Sequence, residues 1–328
     1  MKTRNYTLDI AKAIGIILMI IGHCAIILPY RPYRHVIFSF HMPLFFIISG
    51  YLYKCKDIKD SLRKDLSSLM LPYLYTCLAI VGICLVKSLF KEDYWDRTIY
   101  YIQASFIGSG SSHSCMFLSG LPDIGAIWFF PELYVCKNTY NCLQSYSLKK
   151  RLMISSVIFV VATIVGRYLI FIPFSVLSGL SAIIFFAIGD AFKVFNRIKP
   201  IHWAIGIACW IVALMFSRLS LVRPMVELYF IDVIGATTAS LLVYLLSQKI
   251  EKIRVLSKCM IWIGQNTLYI LCFHLIDLDV VKVSKSLKHV NSVLALVVMI
   301  LFPIIATYVF VNLKKWIKER RSISGMHT

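Results

Sequence analysis

The sequence predicts an all-α, polytopic integral membrane protein. Of its 328 residues, 59% are hydrophobic, and the mean hydropathy is +0.76. A soluble domain is usually about 45–50% apolar. Apolar runs long enough to cross a bilayer also recur along the whole chain. These observations argue against a soluble globular domain.

About ten transmembrane helices are predicted, most of them separated by polar or basic residues. The fourth is the weakest candidate because it is short and contains Pro131. The predicted spans are 10–28, 36–53, 66–87, 121–136, 152–170, 175–192, 201–217, 225–246, 259–278 and 292–313.

The basic residues predict the orientation. If the chain crosses ten times, both termini lie on one side, and 23 of the 35 lysines and arginines fall on that side against ten on the other. By the positive-inside rule, both termini are expected in the cytoplasm. A net charge of +19 would suggest a nucleic-acid partner in a soluble chain. Here the basic residues lie between apolar runs, so we expect a lipid bilayer as partner and no nucleic acid.

The chain is expected to form a single membrane domain, 1–328, with a basic cytoplasmic tail at 314–328. One connection, 88–120, is unusually long and rich in serine and glycine toward its end. We predict it on the extracytoplasmic side, as a lid or acceptor-binding flap or as a mobile connector. The ten cysteines include no Cys-x-x-Cys pair, and we interpret them as small buried hydrophobes. No metal and no permanently bound cofactor are expected.

Three ionisable residues lie in or directly before the first predicted span. Lys12 and His23 are eleven residues apart, which places them on one helix face, roughly 16 Å apart along the axis. Asp9 lies one turn before Lys12 and can pair with it. Ionisable groups are costly inside a membrane, so their presence indicates function. The alternatives are a snorkelling anchor for Lys12 and a helix-packing hydrogen bond for His23.

Two further histidines are predicted at a depth similar to that of His23. His41 lies near the start of the second span, which follows the first after a short connection, so the two imidazoles can approach each other. His274 lies in the ninth span and is preceded by Asn266. For His274, a place in a shared polar site and a separate packing role are both open.

A carboxylate is predicted in the fourth span, where Glu132 follows Trp128 and Pro131. Inside a membrane it needs a partner or water, and a functional role and a structural ion pair are both open. A neutral imidazole in a partly dry cavity is suited to accept a proton from a hydroxyl. Cytoplasmic cations are suited to bind phosphate.

The chain lacks three motifs that would indicate other chemistry. It has no Gly-rich phosphate loop, no Asp-rich metal cluster and no Gly-x-Ser-x-Gly elbow. Their absence argues against a nucleotide triphosphatase, a divalent-metal glycosyltransferase and an α/β-hydrolase.

Five segments follow one another in a characteristic order. The first carries Lys12-x10-His23, and the others are FHMPLFFIISGYL (40–52), LMLPYL (69–74), IWFFPELY (127–134) and IGQNTLYILCFH (263–274). Together they resemble the membrane acyltransferase-3 family, and within it the bacterial group related to fucose 4-O-acetylase. The family has an arginine where this chain has Lys12, and a lysine loses the bidentate grip on phosphate or carboxylate.

The resemblance implies about ten helices in the bacterial cytoplasmic membrane. It also implies transfer of an acetyl group from cytoplasmic acetyl-CoA to a hydroxyl of a cell-surface glycan or glycolipid. By position, His23 corresponds to the family's proposed catalytic histidine and Lys12 to its paired arginine. The catalytic candidates are His23, Lys12, His41 and Glu132; the substrate-binding candidates are Asp9, Trp128, His274 and Asn266.

Two other functions remain open at this stage. A transporter or flippase for a glycolipid or small solute would also place charged residues and histidines in its helices. Internal repeats would favour transport, and the sequence shows none. An acyltransferase with a longer donor, such as succinyl-CoA, is equally compatible with these residues.

Overall fold

The computed structural model describes residues 4–24, 31–111, 120–168, 172–194, 199–224, 226–281, 287 and 291–324. These residues fold into helices joined by turns and loops and contain no β-strand, which confirms the predicted all-α class. Fifteen α-helices are present in this part of the chain. They are α1 Tyr6–His23, α2 Arg31–Phe38, α3 His41–Tyr51, α4 Ile58–Asp65, α5 Leu71–Ser88, α6 Asp93–Ile107, α7 Phe129–Cys142, α8 Leu148–Tyr168, α9 Val176–Ser181, α10 Ile183–Ala191, α11 Pro200–Phe216, α12 Phe230–Glu251, α13 Arg254–Gln265, α14 Thr267–Ile276 and α15 Ser292–Ser324.

Short irregular turns connect several of these helices. A π-helical turn, Leu66–Met70, joins α4 to α5, so that Ile58–Ser88 is one rod of 31 residues. A 3-10 turn, Gly125–Trp128, leads into α7, and a second π-helical turn, Asp277–Val281, follows α14. Such turns interrupt the regular hydrogen-bond ladder and often mark functional positions.

Fewer helices than predicted are long and apolar enough to cross a membrane unbroken. Among the described residues there are four, namely Tyr6–His23, Ile58–Ser88, Phe230–Glu251 and Ser292–Arg320. The bent pair α13–α14, with a 71° change of direction, brings the number to five. Other predicted spans are broken, the second between α2 and α3 and the sixth between α9 and α10. The number of about ten crossings therefore stays a prediction.

Helix α1 lies at the centre of the bundle, where it contacts α3, α12, α13 and α14. It can do so because small residues let its neighbours approach closely. A Cβ added to Gly264 of α13 would lie 1.7 Å from the carbonyl oxygen of Asp9. Only glycine fits this crossing, and the crossing positions α1 against the α13–α14 bend.

A second close crossing joins α3 to α10. A Cβ added to Gly50 would lie 1.9 Å from the carbonyl oxygen of Phe186, and one added to Gly189 would lie 2.0 Å from that of Ile47. Glycines on both helices thus bring the two backbones together. This crossing fixes the position of α3, which carries His41 at its first residue.

Segments predicted on the cytoplasmic side meet at one end of the bundle, which we call the basic end. Lys137 forms an ion pair with Asp65 at 2.5 Å, and Arg151 forms one with Asp190 at 2.9 Å. Thr7 donates a hydrogen bond to Glu251 in the same group of segments. The side of the membrane that this end faces stays a prediction.

The region predicted as a long loop, 88–120, is partly helical. It contains α6, which packs against α5, while 112–119 lie outside the described residues. The predicted basic tail is helical as well, because α15 continues to Ser324. Whether 88–120 acts as a lid over the acceptor or as a connector stays a prediction.

Candidate functional site

The imidazoles of His23 and His274 face each other at the end of the bundle opposite the basic end. Their ring centroids lie 5.8 Å apart with an interplanar angle of 50°. His23 is the last residue of α1, and His274 lies in the last turn of α14. His274 is fully buried, and neither of its ring nitrogens has a hydrogen-bond partner among the described residues. A buried imidazole without hydrogen bonds lowers the stability of the fold, so its position beside His23 indicates a functional role.

His41 lies in the same region and lines the same cavity as His23. The ring of Phe38 packs against both histidines, with its centroid 5.6 Å from that of His23 and 5.1 Å from that of His41. Gly22 makes room for Phe38, since a Cβ there would lie 2.6 Å from the phenyl ring. The Nδ1 atom of His41 lies 3.2 Å from the carbonyl oxygen of Ile37. His23 and His41 therefore line one cavity, and the direct approach of their imidazoles stays a prediction.

A cavity of about 550 Å³ opens beside this cluster, and we call it the histidine cavity. Its walls include the predicted residues His23, His41 and Trp128. They also include residues that the sequence analysis did not single out, among them His35, Asp123 and Arg218. The volume is in the range of small-molecule sites, which are mostly apolar with a few polar groups.

The Trp128 indole forms one wall of the histidine cavity, and a neighbouring glycine packs against it. A Cβ added to Gly110 would lie 2.1 Å from Cδ1 of Trp128. Asp123 lies on the same wall, held by Tyr100 of α6, whose hydroxyl donates to Oδ2 at 3.1 Å. The backbone N–H of Gly125 donates to Oδ1 at 3.3 Å. An indole beside an oriented carboxylate is suited to contact an apolar ring face and a hydroxyl group at once.

Lys12 and Asp9 lie toward the basic end, away from the histidine cavity. Lys12 Nζ is 2.8 Å from Asp9 Oδ1, which confirms the predicted pairing, and Arg4 Nε is 2.6 Å from Oδ2. Gln265 donates to Oδ2 at 3.5 Å. The buried carboxylate thus holds two cations and ties the start of α1 to the end of α13. The pair does not line the histidine cavity.

Glu132 and Asn266 also lie outside the walls of the histidine cavity. Glu132, in the first turn of α7, is fully buried, and its carboxyl oxygens have no hydrogen-bond partner among the described residues. Asn266 lies at the bend between α13 and α14, where its amide donates to the carbonyl oxygen of Trp262 at 2.8 Å. Asn266 thus has a structural contact at the bend, and its part in substrate binding stays a prediction.

The basic segment 54–64 forms part of the basic end. Lys56 is half-buried there, and its carbonyl oxygen accepts a hydrogen bond from Asn141 at 3.0 Å. Burial, together with the neighbouring ammonium group of Lys64, lowers the pKa of Lys56. A crowded pair of ammonium groups favours the arrival of an anion, because a negative charge relieves their repulsion.

The sequence did not indicate three residues of the histidine cavity, because each of them lies in or near a predicted connection between spans. His35 was placed in a connection between spans, but it lies in α2, with Nε2 3.0 Å from the carbonyl oxygen of Leu214. Asp123 and Arg218 stand next to predicted span boundaries, where polar residues are ordinary. Only the tertiary structure reveals that these three residues line the same cavity as His23.

No metal centre is evident in the described part of the chain, where no group of three or more His, Cys, Asp or Glu side chains is arranged for an ion. Nine cysteines lie in that part, and none of them forms a disulfide there. Five of the nine are buried. The polar groups that line the histidine cavity include imidazoles, one carboxylate, one guanidinium, an indole and the hydroxyl groups of Ser220 and Thr267.

Comparison with known proteins gives a family match over most of the chain. The acyltransferase-3 family model, described as an acyltransferase domain, matches residues 5–312. A nodulation protein NolL of Sinorhizobium fredii is 36% identical over 91 residues, covering 24% of this chain and 25% of that protein. A nodulation protein NolL of Mesorhizobium japonicum is 38% identical over 91 residues, covering 24% of each. The chain thus aligns with about a quarter of the length of these curated relatives, and no solved structure matches it significantly.

Proposed function

The chain belongs to the acyltransferase-3 family, and from this premise we propose that it is a membrane-bound O-acetyltransferase. Its donor is acetyl-CoA from the cytoplasm, and its acceptor is a hydroxyl of a cell-surface glycan or glycolipid. We place it in the bacterial cytoplasmic membrane, with about ten crossings and both termini in the cytoplasm. The excess of basic residues on the side of the termini supports this orientation.

The observation that carries the proposal is the position of His23 on the wall of a ligand-sized cavity, beside an unpartnered buried histidine. An imidazole at such a place can act as a general base toward a hydroxyl. The ring of His274 lies 5.8 Å from that of His23 between centroids, and His274 does not line the cavity itself. A hydrogen bond from His274 would therefore reach His23 or a group bound between the two rings. We therefore treat His274 as a positioning residue for His23 and for the acceptor hydroxyl.

The proposed reaction is a single transfer. The acceptor hydroxyl gives its proton to a ring nitrogen of His23, and its oxygen forms a bond to the carbonyl carbon of the acetyl thioester. The carbon–sulfur bond breaks, and the proton then passes from His23 to the CoA sulfur. Transfer through an acetyl-histidine is the two-step alternative at the same residue.

The donor is proposed to approach from the basic end. The phosphates of CoA would be held near the basic segment 54–64 and Lys12, whose ammonium groups bind phosphate as point charges. Lys12 already pairs with Asp9, so its contribution to phosphate binding is shared with that carboxylate. Trp128 is proposed to pack against the acceptor, and His41 shapes the same cavity wall. A tuning role for Glu132 has no support from the cavity lining.

The experiment that tests the proposal compares two single-histidine variants in a reconstituted assay with labelled acetyl-CoA and extracted surface glycan. His23→Ala is expected to lower transfer by at least about 100-fold, the usual size of a general-base contribution. His202→Ala, which changes an exposed histidine of α11, is expected to transfer normally. Normal transfer by His23→Ala at equal membrane level overturns the assignment. A protein that never binds or consumes acetyl-CoA points instead to transport.

A further inference from the structure

A second cavity, of about 490 Å³, lies near the basic end of the bundle, between α1, α3, α11 and α12. The mechanism proposed for the histidine cavity does not use it. Its α1 wall is formed by Leu8 and Ala11, whereas the α1 wall of the histidine cavity is formed by Ile16, Met19 and His23. The two cavities therefore follow one another along α1, with roughly 12 Å of helix axis between Ala11 and Met19.

The charge of the second cavity restricts what it can bind. Lys193 is the one charged residue among its described wall residues. Its ammonium lies 2.7 Å from Asp190 and also donates to the carbonyl oxygen of Tyr53. Arg151 neutralises the same carboxylate at 2.9 Å, so the two cations face a single buried anion. The local excess of positive charge favours a ligand with an anionic head group.

The second cavity combines polar and apolar wall residues. Trp203, Tyr244 and the exposed Gln248 can donate hydrogen bonds to a ligand. Leu44, Ile47 and Leu241 contribute apolar surface. Such a lining, together with Lys193, fits a ligand that has a charged head group and a slender, largely apolar arm.

The boundary between the two cavities is formed at Gly15 of α1. A Cβ added there would lie 3.1 Å from the side chain of Leu44 and 3.1 Å from the ring of Phe45. Leu44 belongs to the wall of the second cavity, and Phe45 belongs to the wall of the histidine cavity. The apolar arm of a ligand that enters the second cavity from the basic end would point along α1 toward His23. The side chains of Leu44 and Phe45 would lie between the arm and the histidine cavity.

We propose that the second cavity binds a phosphate-bearing molecule with a slender apolar arm, its head group at Lys193 and its arm directed toward Gly15. Two sources share this chemistry. One is an acyl-CoA, whose acyl-phosphopantetheine arm would then reach toward the histidine cavity; this source rests on the proposed function. The basic segment 54–64 supports it, because Lys193 is bonded to Tyr53 directly before that segment. The other source is a phospholipid of the membrane.

The test uses the purified full-length chain in detergent and measures binding rather than transfer. Lys193→Gln removes the head-group charge, and Leu241→Phe fills part of the cavity. Lys249→Gln and Leu246→Phe are matched controls, since both residues are exposed on α12 and outside the cavity wall. Labelled acetyl-CoA and labelled phosphatidylglycerol are the two probes, and each is titrated against all four variants and against His23→Ala.

The expected result is at least a tenfold rise in the Kd of acetyl-CoA for Lys193→Gln and Leu241→Phe, with unchanged Kd values for both controls. If acetyl-CoA does not bind any variant and the same two variants bind phosphatidylglycerol more weakly than the controls do, the second cavity is a binding site whose ligand is a phospholipid. Equal binding of both probes by all variants overturns the proposal. Failure of the proposed function is a separate result, seen when His23→Ala still transfers acetyl groups.

Discussion

His23 and His274 come from the first and the fourteenth helix, yet their imidazole centroids are only 5.8 Å apart. His23 lines a cavity of about 550 Å³, whereas His274 is fully buried behind it. The two rings therefore have different tasks. His23 can meet a substrate directly, and His274 can act only through His23 or through a group bound between them.

Replacing His274 by phenylalanine separates a positioning role from a packing role. Phenylalanine keeps a ring in the buried position but removes two nitrogens that have no partner among the described residues. We expect the melting temperature to stay equal or to rise, since an apolar replacement of unpaired polar atoms is neutral or stabilising. We expect kcat to fall by roughly tenfold or more, with little change in the donor KM. Steady-state kinetics and a thermal melt check both values, and an unchanged kcat contradicts the role.

Gly110→Ala tests whether Trp128 must keep its position for the acceptor. The new methyl group would lie 2.1 Å from Cδ1 of Trp128, so the indole has to move. Overpacking of this kind costs about 1–3 kcal/mol, and we expect a higher acceptor KM together with a changed tryptophan fluorescence. Gly82→Ala is the control, because a methyl group there meets nothing within 4 Å. If the two variants have equal KM values for the acceptor, the position of Trp128 does not affect acceptor binding.

The ion pair between Lys12 and Asp9 offers a test at the opposite end of α1. Asp9 has a side chain only 5% exposed, so Lys12→Gln leaves a buried carboxylate with Arg4 as its remaining cation. We expect a loss of roughly 1–3 kcal/mol of stability, the usual cost of removing one partner of a buried polar pair. Lys12→Arg should keep the stability of the parent protein. Thermal melts in detergent measure both, and full stability of Lys12→Gln would show that the pair is not structural.

The Asp9→Asn variant completes this test. If Lys12 acts only by holding Asp9, the double variant Asp9→Asn/Lys12→Gln should recover part of the lost stability and keep the parent affinity for acetyl-CoA. If Lys12 binds the donor, the Kd of acetyl-CoA rises in every variant that lacks the lysine. The double-mutant cycle therefore distinguishes an anchor from a donor contact.

Gly264→Ala tests the crossing that places α14, and with it His274, against α1. Its Cβ would lie 1.7 Å from the carbonyl oxygen of Asp9, a backbone atom that cannot rotate away. We expect a loss of about 1–3 kcal/mol or more, the usual cost of overpacking, and a low yield of monodisperse protein in size-exclusion chromatography. Gly82→Ala again provides the reference. A stable Gly264→Ala protein would mean that α1 and α13 can separate without consequence.

Helical periodicity allowed part of the site to be predicted. The spacing of Asp9, Lys12 and His23 within one helix placed an ion pair near one end of α1 and a histidine near the other, as the structure has it. The predicted polar site around His23 included His41 and His274, and the structure places both of them near that residue.

The relations between helices could not be predicted in the same way. Sequence spacing suggested that His41 approaches His23, but it did not predict Phe38, whose ring packs against both imidazoles. Glu132 was expected close to the catalytic residues, and it does not line the histidine cavity. Tyr100 and Asp123 are far apart in the sequence, and their hydrogen bond joins α6 to the segment that precedes the 3-10 turn.

The sequence by itself determined the all-α membrane class, the family and the polar residues of α1, because hydrophobic periods, motif order and helical spacing are local properties of the chain. The tertiary structure alone decided that the rings of His23 and His274 lie 5.8 Å apart and that side chains from the walls of both cavities pack against Gly15. Those relations depend on how closely two helices cross. A single glycine such as Gly264 or Gly50 sets that distance, and the residue it faces lies far away in the sequence.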